Sequence, residues 1–170
     1  MMYILSPCED CVYAQLYADN LIKKSNINAT HEQIILGARG ELAFARCLGP
    51  KQLQYCRDHL IRENASIDDY RFDLPGRIDV KTCESKNKNL IVNKVQSEVR
   101  YVLLRATRDI IKNESPSELQ LEVMGWSRGD KKSFEPFRFN PKKSFQSHTK
   151  LLEIHSLFAE LIGEMDQVQE

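Results

Sequence analysis

The sequence predicts a single α/β domain, and three observations carry this prediction. The chain has 170 residues, a length typical of one domain, and its 42% hydrophobic and 28% charged residues are those of an ordinary globular protein. Helical patterns occupy its N-terminal part and its C-terminal end. Short stretches rich in β-branched and aromatic residues lie between them. The expected order is therefore helix, helix, several strands, helix.

Capping signals and hydrophobic periodicity predict three helices. The pattern at 6–9 combines a serine N-cap, a proline at the first helical position and a glutamate three residues after the serine, which predicts a helix running to about Lys24. Thr30 can cap a second helix through Leu48, and the glycine and proline that follow end it. A last helix at 150–165 places its large apolar side chains on one stripe.

Five short strands are expected between the second and the last helix. They lie at 70–74, 78–82, 90–93, 101–106 and 119–126. Pro75 and Gly76 join the first two strands into a hairpin. The preceding stretch 51–66 is ambiguous and partly helical, whereas 112–118 is typical of a loop.

Charge balance and the shortness of the apolar runs limit the partners of the chain. Lys and Arg number 24 and Asp and Glu also number 24, so no overall positive field attracts nucleic acid or an anionic membrane. A nucleic-acid partner must then meet a local basic patch. The longest apolar runs fall far short of the ~20 residues that a membrane span needs, and the start of the chain lacks the basic region of a signal peptide. We therefore expect a soluble, cytoplasmic protein without membrane contact.

The cysteines favour reduced thiols over a disulfide framework, because their number is odd and no secretory signal is visible. Cys8 and Cys11 form a C-x-x-C pair. A tetrahedral zinc site needs two further ligands at metal spacing, and the histidines are scattered. The pattern instead predicts that both thiols lie in the first turn of the first helix, and it leaves open whether they bind anything.

Glu41 is the first residue that indicates chemistry. On a helix through 30–48, the residues three and four positions from it are all small or apolar: Gly37, Ala38, Phe44 and Ala45. Arg39 and Arg46 point the other way and already give this helix a polar face. Buried carboxylates are rare unless they are paired, protonated or bound to metal. The alternative is an ion pair between Glu41 and an arginine at the helix edge.

Asp79 and Lys81 form the second signal. Strand alternation sends Ile78 and Val80 to one face and the two charged residues to the other, with Cα atoms roughly 6 to 7 Å apart. A carboxylate and an ammonium group can then converge on one ligand or water. A solvated strand face gives the same pattern, so this signal is weak alone.

The preceding hairpin strengthens it. If the loop has three residues, 75–77, then Leu74 faces Ile78 and Asp73 faces Asp79, with Asp69 on the same face. A two-residue loop would shift the register and send both aspartates away. Facing carboxylates repel each other unless a hard divalent cation lies between them, so the three-residue loop predicts a metal site.

Glu41 on a helix, an aspartate in a hairpin and Asp79-x-Lys81 on the return strand together resemble the PD-(D/E)XK nuclease superfamily, in particular its small stand-alone members in phages and bacteria. The resemblance covers about 30–126. It implies a restriction-endonuclease-like core, in which a central mixed β-sheet is flanked by helices. The N-terminal helix and a C-terminal basic segment with its helix are then appended to one domain spanning 1–170. A bacterial or phage-infected cytoplasm is the location that the resemblance implies.

The resemblance also implies a site that holds Mg²⁺ or Mn²⁺. Its ligands would be carboxylates and one backbone carbonyl, from Asp69, Asp79, Glu41 and Val80. Lys81 would lie beside the attacking water. The proline that gives the superfamily its name is absent, since Asp68 precedes Asp69. Asp69 is the preferred first carboxylate because of its spacing to the return strand, and Asp73 is the alternate.

Basic residues that could contact nucleic acid follow the return strand and recur near the C-terminus. They are Lys86, Lys88, Arg128, Lys131, Lys132, Lys142 and Lys143. Phenylalanines interleaved with the later ones either stack on exposed bases or pack beneath the loop.

These observations lead us to expect a magnesium- or manganese-dependent endonuclease that hydrolyses DNA phosphodiester bonds. The alternatives are a catalytically silent subunit on the same fold, which binds nucleic acid or serves assembly, and a Holliday-junction-type resolvase. The oligomeric state stays open, a homodimer included.

Overall fold

The computed structural model describes residues 1–24, 29–61, 73–84, 86, 89–108, 118–138, 140 and 142–167, with only the backbone at 24 and 163–167. The helices in these ranges are α1 (Cys8–Lys24), α2 (His31–Leu48), α3 (Pro50–Ile61) and α4 (Ile154–Gln167). The strands there are β1 (Met2–Ser6), β2 (Ile78–Cys83), β3 (Asn89–Val92), β4 (Arg100–Ala106), β5 (Leu119–Arg128), β6 (Glu135–Pro136) and β7 (Ser144–Ser147).

The larger sheet is mixed and has the strand order β1-β5-β4-β2. β2 and β4 run parallel, whereas β4, β5 and β1 pair antiparallel. Helices pack against this sheet, so the α/β class with a mixed sheet and flanking helices is confirmed. The smaller sheet is antiparallel, with the order β3-β7-β6.

The central strand β4 divides the core into two layers. Val102 and Leu104 belong to the main core between the sheet and the helices, and they are fully buried. Tyr101 and Leu103 project to the other face and pack with residues of the smaller sheet and with Phe134. The ring of Phe134 meets Tyr101 edge to face at a centroid distance of 5.7 Å. Phe134 therefore packs beneath its loop, and the stacking of this ring on nucleic-acid bases is ruled out.

α2 begins and ends where its capping residues predict. The Thr30 hydroxyl accepts a hydrogen bond from the Gln33 amide at 3.3 Å, and the Gln33 side chain accepts one from the Thr30 amide at 3.1 Å. At the other end, Gly49 adopts a left-handed φ of 120°. A helix of these bounds lays Gly40 against β2, so closely that a Cβ atom there would lie 1.8 Å from Oγ1 of Thr82. This close approach carries the neighbouring Glu41 to the edge of β2.

The N-terminus differs from the prediction. The sequence treats Ser6 as a helix cap, but Ser6 is the last residue of β1, an edge strand paired with β5. Its hydroxyl donates to Asp10, and Glu9 binds Arg46 at 2.8 Å instead of completing a capping box. α1 begins at Cys8, so the two thiols of the C-x-x-C pair do lie in its first turn, as expected.

The polar face of α2 is also different from the expectation, because β1 and α1 cover it. Arg39 is 0% exposed. Its guanidinium donates to the hydroxyl of Ser6 at 2.8 Å and to the carbonyl of Ser6 at 2.6 Å. Buried guanidinium groups need such partners, and here the unpredicted strand supplies them.

α4 closes the main core from the C-terminal side. It begins at Ile154, four residues later than the sequence predicts, after a 3₁₀ turn at His148–Lys150. Ile154 and Leu157 are buried, and the Trp126 indole donates to the Ser156 hydroxyl at 2.9 Å. Among the helices of the described residues, none combines the length and the apolar character needed to cross a bilayer.

Candidate functional site

The turn before β2 has three residues. A carboxylate cluster was expected only for a turn of this length. Leu74 and Ile78 exchange both backbone hydrogen bonds, at 3.1 and 3.3 Å. Gly76 and Arg77 in the turn have left-handed φ angles of 81° and 56°. The register in which Asp73 faces the same side as the charged residues of β2 is therefore confirmed.

Asp73 is tied to β2 by its side chain. Its carboxylate accepts a hydrogen bond from the Val80 amide at 2.7 Å. This contact places the Asp73 carboxylate between the two charged residues of β2 along the chain, Asp79 and Lys81. Asp69, the preferred first carboxylate, lies outside the described residues. Of the two candidates for the first carboxylate, Asp73 is therefore the one whose position is known.

Lys81 and Asp79 form an ion pair on their shared strand face. The Lys81 side chain is 38% exposed, so part of it reaches solvent. Burial lowers the pKa of Lys81, but the negative charges of Asp79, Asp73 and Glu41 outweigh this effect and raise it above its ordinary value. Lys81 therefore stays protonated at any physiological pH.

Glu41 approaches the same group from α2. Burial raises the pKa of Glu41 to about 7, with the negative charge of Asp79 adding to the rise and the positive charge of Lys81 opposing it. The positive charge that acts on Glu41 belongs to Lys81, so the alternative of a pair with an arginine at the helix edge is not what the structure shows.

Asp73 experiences the same environment. Burial raises its pKa well above the usual range, and the charges of Glu41 and Asp79 raise it further, while Lys81 opposes them. Carboxylates affect one another in this way only when they are close and poorly solvated. Glu41, Asp73, Asp79 and Lys81 thus form one group, which we call the carboxylate cluster.

The donor chemistry of the carboxylate cluster suits a hard divalent cation, because its ligating atoms are oxygens of Glu41, Asp73 and Asp79. Within the described ranges, no three His, Cys, Asp or Glu side chains are already arranged to hold a metal ion. In this structure Lys81 pairs with Asp79, and the Asp73 carboxylate accepts a hydrogen bond from the Val80 amide. Burial and, to a lesser extent, the neighbouring carboxylates raise the pKa values of Glu41 and Asp73, and a bound cation would stabilise their charged forms.

Two residues near the cluster, Tyr17 and Cys56, were not predicted from the sequence to belong to the site. Burial raises the pKa of Tyr17 to about 12, and the charges of Glu41 and Asp73 contribute to the rise. Cys56 on α3 is fully buried, and its pKa is raised by burial and by the same two carboxylates. The packing of α1 and α3 against α2 brings both residues here, and no local pattern in the sequence predicts that packing.

A cleft of about 300 Å³ opens beside the cluster, between α2, β2 and the smaller sheet. Lys81 lines this cleft together with Lys143, which precedes β7. Gln33, Glu84 and Asn89 supply further polar lining. One predicted nucleic-acid contact, Lys143, therefore lies in the same cleft as the lysine of the cluster.

The other predicted nucleic-acid contacts are dispersed. Lys86, Lys131, Lys132 and Lys142 are exposed. Arg128 binds Glu160 on α4 at 2.7 Å and lines a different pocket. Lys88 lies outside the described residues.

No family model, curated protein or solved structure matches the chain. The resemblance to the PD-(D/E)XK nucleases therefore rests on the residues of the carboxylate cluster and their order along the chain.

Proposed function

We propose that the protein is a magnesium- or manganese-dependent nuclease that hydrolyses DNA phosphodiester bonds on a restriction-endonuclease-like core. The observation that supports this most is the convergence of three carboxylates and one lysine, from a helix, a hairpin and its return strand. A purely structural role gives no reason to place Glu41 and Asp73 where ionisation is unfavourable for both.

Phosphodiester hydrolysis needs an oriented water, stabilisation of the negative charge on the phosphorane and help for the leaving oxygen. A divalent ion supplies charge stabilisation and lowers the pKa of a bound water when it is present. Asp73, Asp79 and Glu41 would hold that ion, with the Val80 carbonyl as a further oxygen donor. Asp69 remains a candidate ligand from the hairpin.

Lys81 has a separate role in this proposal. Its ammonium group stays charged and its side chain lines the cleft, so it can orient the attacking water or stabilise the developing charge on the phosphate. The cleft that Lys81 shares with Lys143 is the proposed path of the substrate strand. Lys143 would neutralise one of its phosphates there.

The test is incubation of the purified protein with linear duplex, circular single-stranded and branched DNA in Mn²⁺, Mg²⁺ or EDTA. Cleavage with either metal and none in EDTA is the expected result, with Lys81→Ala as the control for a contaminating nuclease. Cleavage confined to branched DNA would assign the resolvase activity. Robust binding of DNA without cleavage in every metal would contradict the proposal and favour the catalytically silent subunit.

A further inference from the structure

A second charged pocket lies at the end of the larger sheet where β2 and β4 begin and β5 ends. Its volume is about 390 Å³. Its lining comes from the turn before β2, the turn before β4, the end of β5 and α4: Gly76, Arg77, Glu98, Arg100, Arg128 and Glu160. We call it the arginine pocket. Its cations outnumber its carboxylates by three to two, the reverse of the carboxylate cluster.

Glu160 holds two of the arginines in place. Arg100 donates to one oxygen of Glu160 at 2.7 Å, and Arg128 meets the other oxygen, also at 2.7 Å. Arg100 additionally donates to the Gly76 carbonyl at 2.6 Å. Both oxygens of Glu160 are thus engaged, and the two guanidinium groups are oriented before any ligand arrives.

The third arginine has a partner that is easier to displace. Arg77 pairs with Glu98, and their side chains are 54% and 73% exposed. Exposed ion pairs contribute little, about 0 to 1 kcal/mol. Both residues also have left-handed backbones, with φ angles of 56° and 65°. Non-glycine residues adopt this conformation rarely, and it recurs at ligand-binding sites.

We propose that the arginine pocket binds a phosphate group, which takes the place of Glu98 beside Arg77. Guanidinium groups match phosphate oxygens with paired hydrogen bonds, so arginines oriented in advance favour this anion over a spherical one. Identifying the phosphate as one carried by a nucleic-acid strand rests on the proposed function. Phosphate binding itself does not, because it needs neither metal nor cleavage.

The place of the pocket in the fold connects it to the carboxylate cluster. Arg77 and Gly76 belong to the turn whose two arms carry Asp73 and Asp79. The Arg100 amide also donates to the Arg77 carbonyl at 2.8 Å, which joins this turn to the start of β4. A nucleic acid bound in the arginine pocket would therefore contact the same turn that positions Asp73 and Asp79.

The test is calorimetric titration of the full-length protein in EDTA. The ligands are inorganic phosphate and short single-stranded DNA with a 5′ phosphate, with a 3′ phosphate or with neither. Arg128→Gln should raise the Kd for inorganic phosphate by about tenfold, the value of one charge-assisted hydrogen bond. Lys51→Gln removes a positive charge from an exposed site outside the pocket and should leave the Kd unchanged.

Glu98→Gln gives a result that a purely structural role would not produce. Removing the competing carboxylate should lower the Kd for inorganic phosphate by about threefold. Tighter binding of DNA with one of the two phosphorylated ends would identify a terminal phosphate as the ligand. Equal affinity for all three DNAs, with the same loss of affinity for each in Arg128→Gln, would identify a phosphate of the strand backbone.

Failure of phosphate to bind, or equal affinity in wild type and Arg128→Gln, would overturn the inference. Because every titration is done without metal, a failure here is distinguishable from a failure of the proposed nuclease activity. Thermal unfolding of Arg128→Gln and Glu98→Gln checks that both variants are folded.

Discussion

The turn before β2 contributes to both the carboxylate cluster and the arginine pocket, but the glutamates of these two sites behave in opposite ways. In the cluster, burial raises the pKa of Glu41 to about 7, and the positive charge of Lys81 does not offset the effect of burial. In the pocket, burial also raises the pKa of Glu160, but hydrogen bonds from Arg128 and Arg100 outweigh it and hold the pKa below its usual value. The sign of the surplus charge thus indicates the ligand: a cation for the cluster and an anion for the pocket.

The largest expected effect is on cleavage, and it separates two residues that share a strand face. Asp79→Asn removes a ligand charge, so Mn²⁺ binding and cleavage should both be lost. Lys81→Ala removes a competing cation, so Mn²⁺ should bind as well or better, while cleavage falls by about a thousandfold. Calorimetric Mn²⁺ titration beside a nicking assay measures both properties.

A wild-type cleavage rate in Lys81→Ala would show that the cluster is not an active site. Wild-type Mn²⁺ affinity in Asp79→Asn would do the same for the metal site. In either case, the face would revert to an ordinary polar strand surface.

The second prediction concerns the pH dependence of stability without metal. The pKa of Glu41 is raised from 4.5 to about 7 on folding, so its ionisation opposes folding as pH rises through this window. Glu41→Gln should match wild type near pH 4.5 and exceed its stability at pH 8 by at most about 3 kcal/mol. Urea unfolding in EDTA at both pH values measures the difference.

Asp73, whose pKa is raised in the same direction, remains in both proteins. The free energy of unfolding is therefore compared between variant and wild type at each pH. Equal stabilities at pH 8 would contradict the poorly solvated position of Glu41. Glu98→Gln, at an exposed carboxylate in the other region, serves as the matched control and should show no such change.

The third prediction tests the contact that carries Glu41 to β2. Gly40→Ala places a methyl group on Thr82, so it should destabilise the protein by about 1 to 3 kcal/mol and reduce cleavage as α2 shifts. Thr82→Ala should restore much of both losses. Thermal unfolding and the nicking assay on the single and double variants measure the effect.

Gly37→Ala is the matched control, since a Cβ atom there meets nothing within 4 Å. It should stabilise the same helix by about 0.5 to 1 kcal/mol. Equal effects of the two alanines would show that α2 does not depend on close contact with β2.

The smallest expected effect distinguishes two adjacent lysines. Lys143 lines the cleft with Lys81, whereas Lys142 is exposed outside it. If Lys143 contacts a phosphate, Lys143→Ala should reduce the log–log salt slope of duplex binding by about 0.9, and Lys142→Ala should not. Fluorescence anisotropy at several salt concentrations measures the slopes. Identical salt slopes in both variants would contradict the proposal that DNA binds along the cleft.

The sequence alone determines those features that depend on near neighbours in the chain. Thr30 and Gly49 set the ends of α2, because capping groups satisfy backbone atoms within one turn. Alternation along β2 separates Asp79 and Lys81 from Ile78 and Val80 for the same local reason. The mixed sheet and the grouping of Glu41 with the hairpin were expected only from the family resemblance.

Tertiary structure decided the features that depend on distant segments. β1 is a short edge strand that gains its hydrogen bonds from β5, and its last residue also fits a helix cap, so local signals favoured the wrong element. β1 and α1 together bury Arg39, on a face of α2 expected to be polar. Asp73 belongs to the cluster because the turn has three residues, and the sequence left open whether the turn has two or three. Such outcomes follow from packing energies summed over the whole fold, which no short window of residues contains.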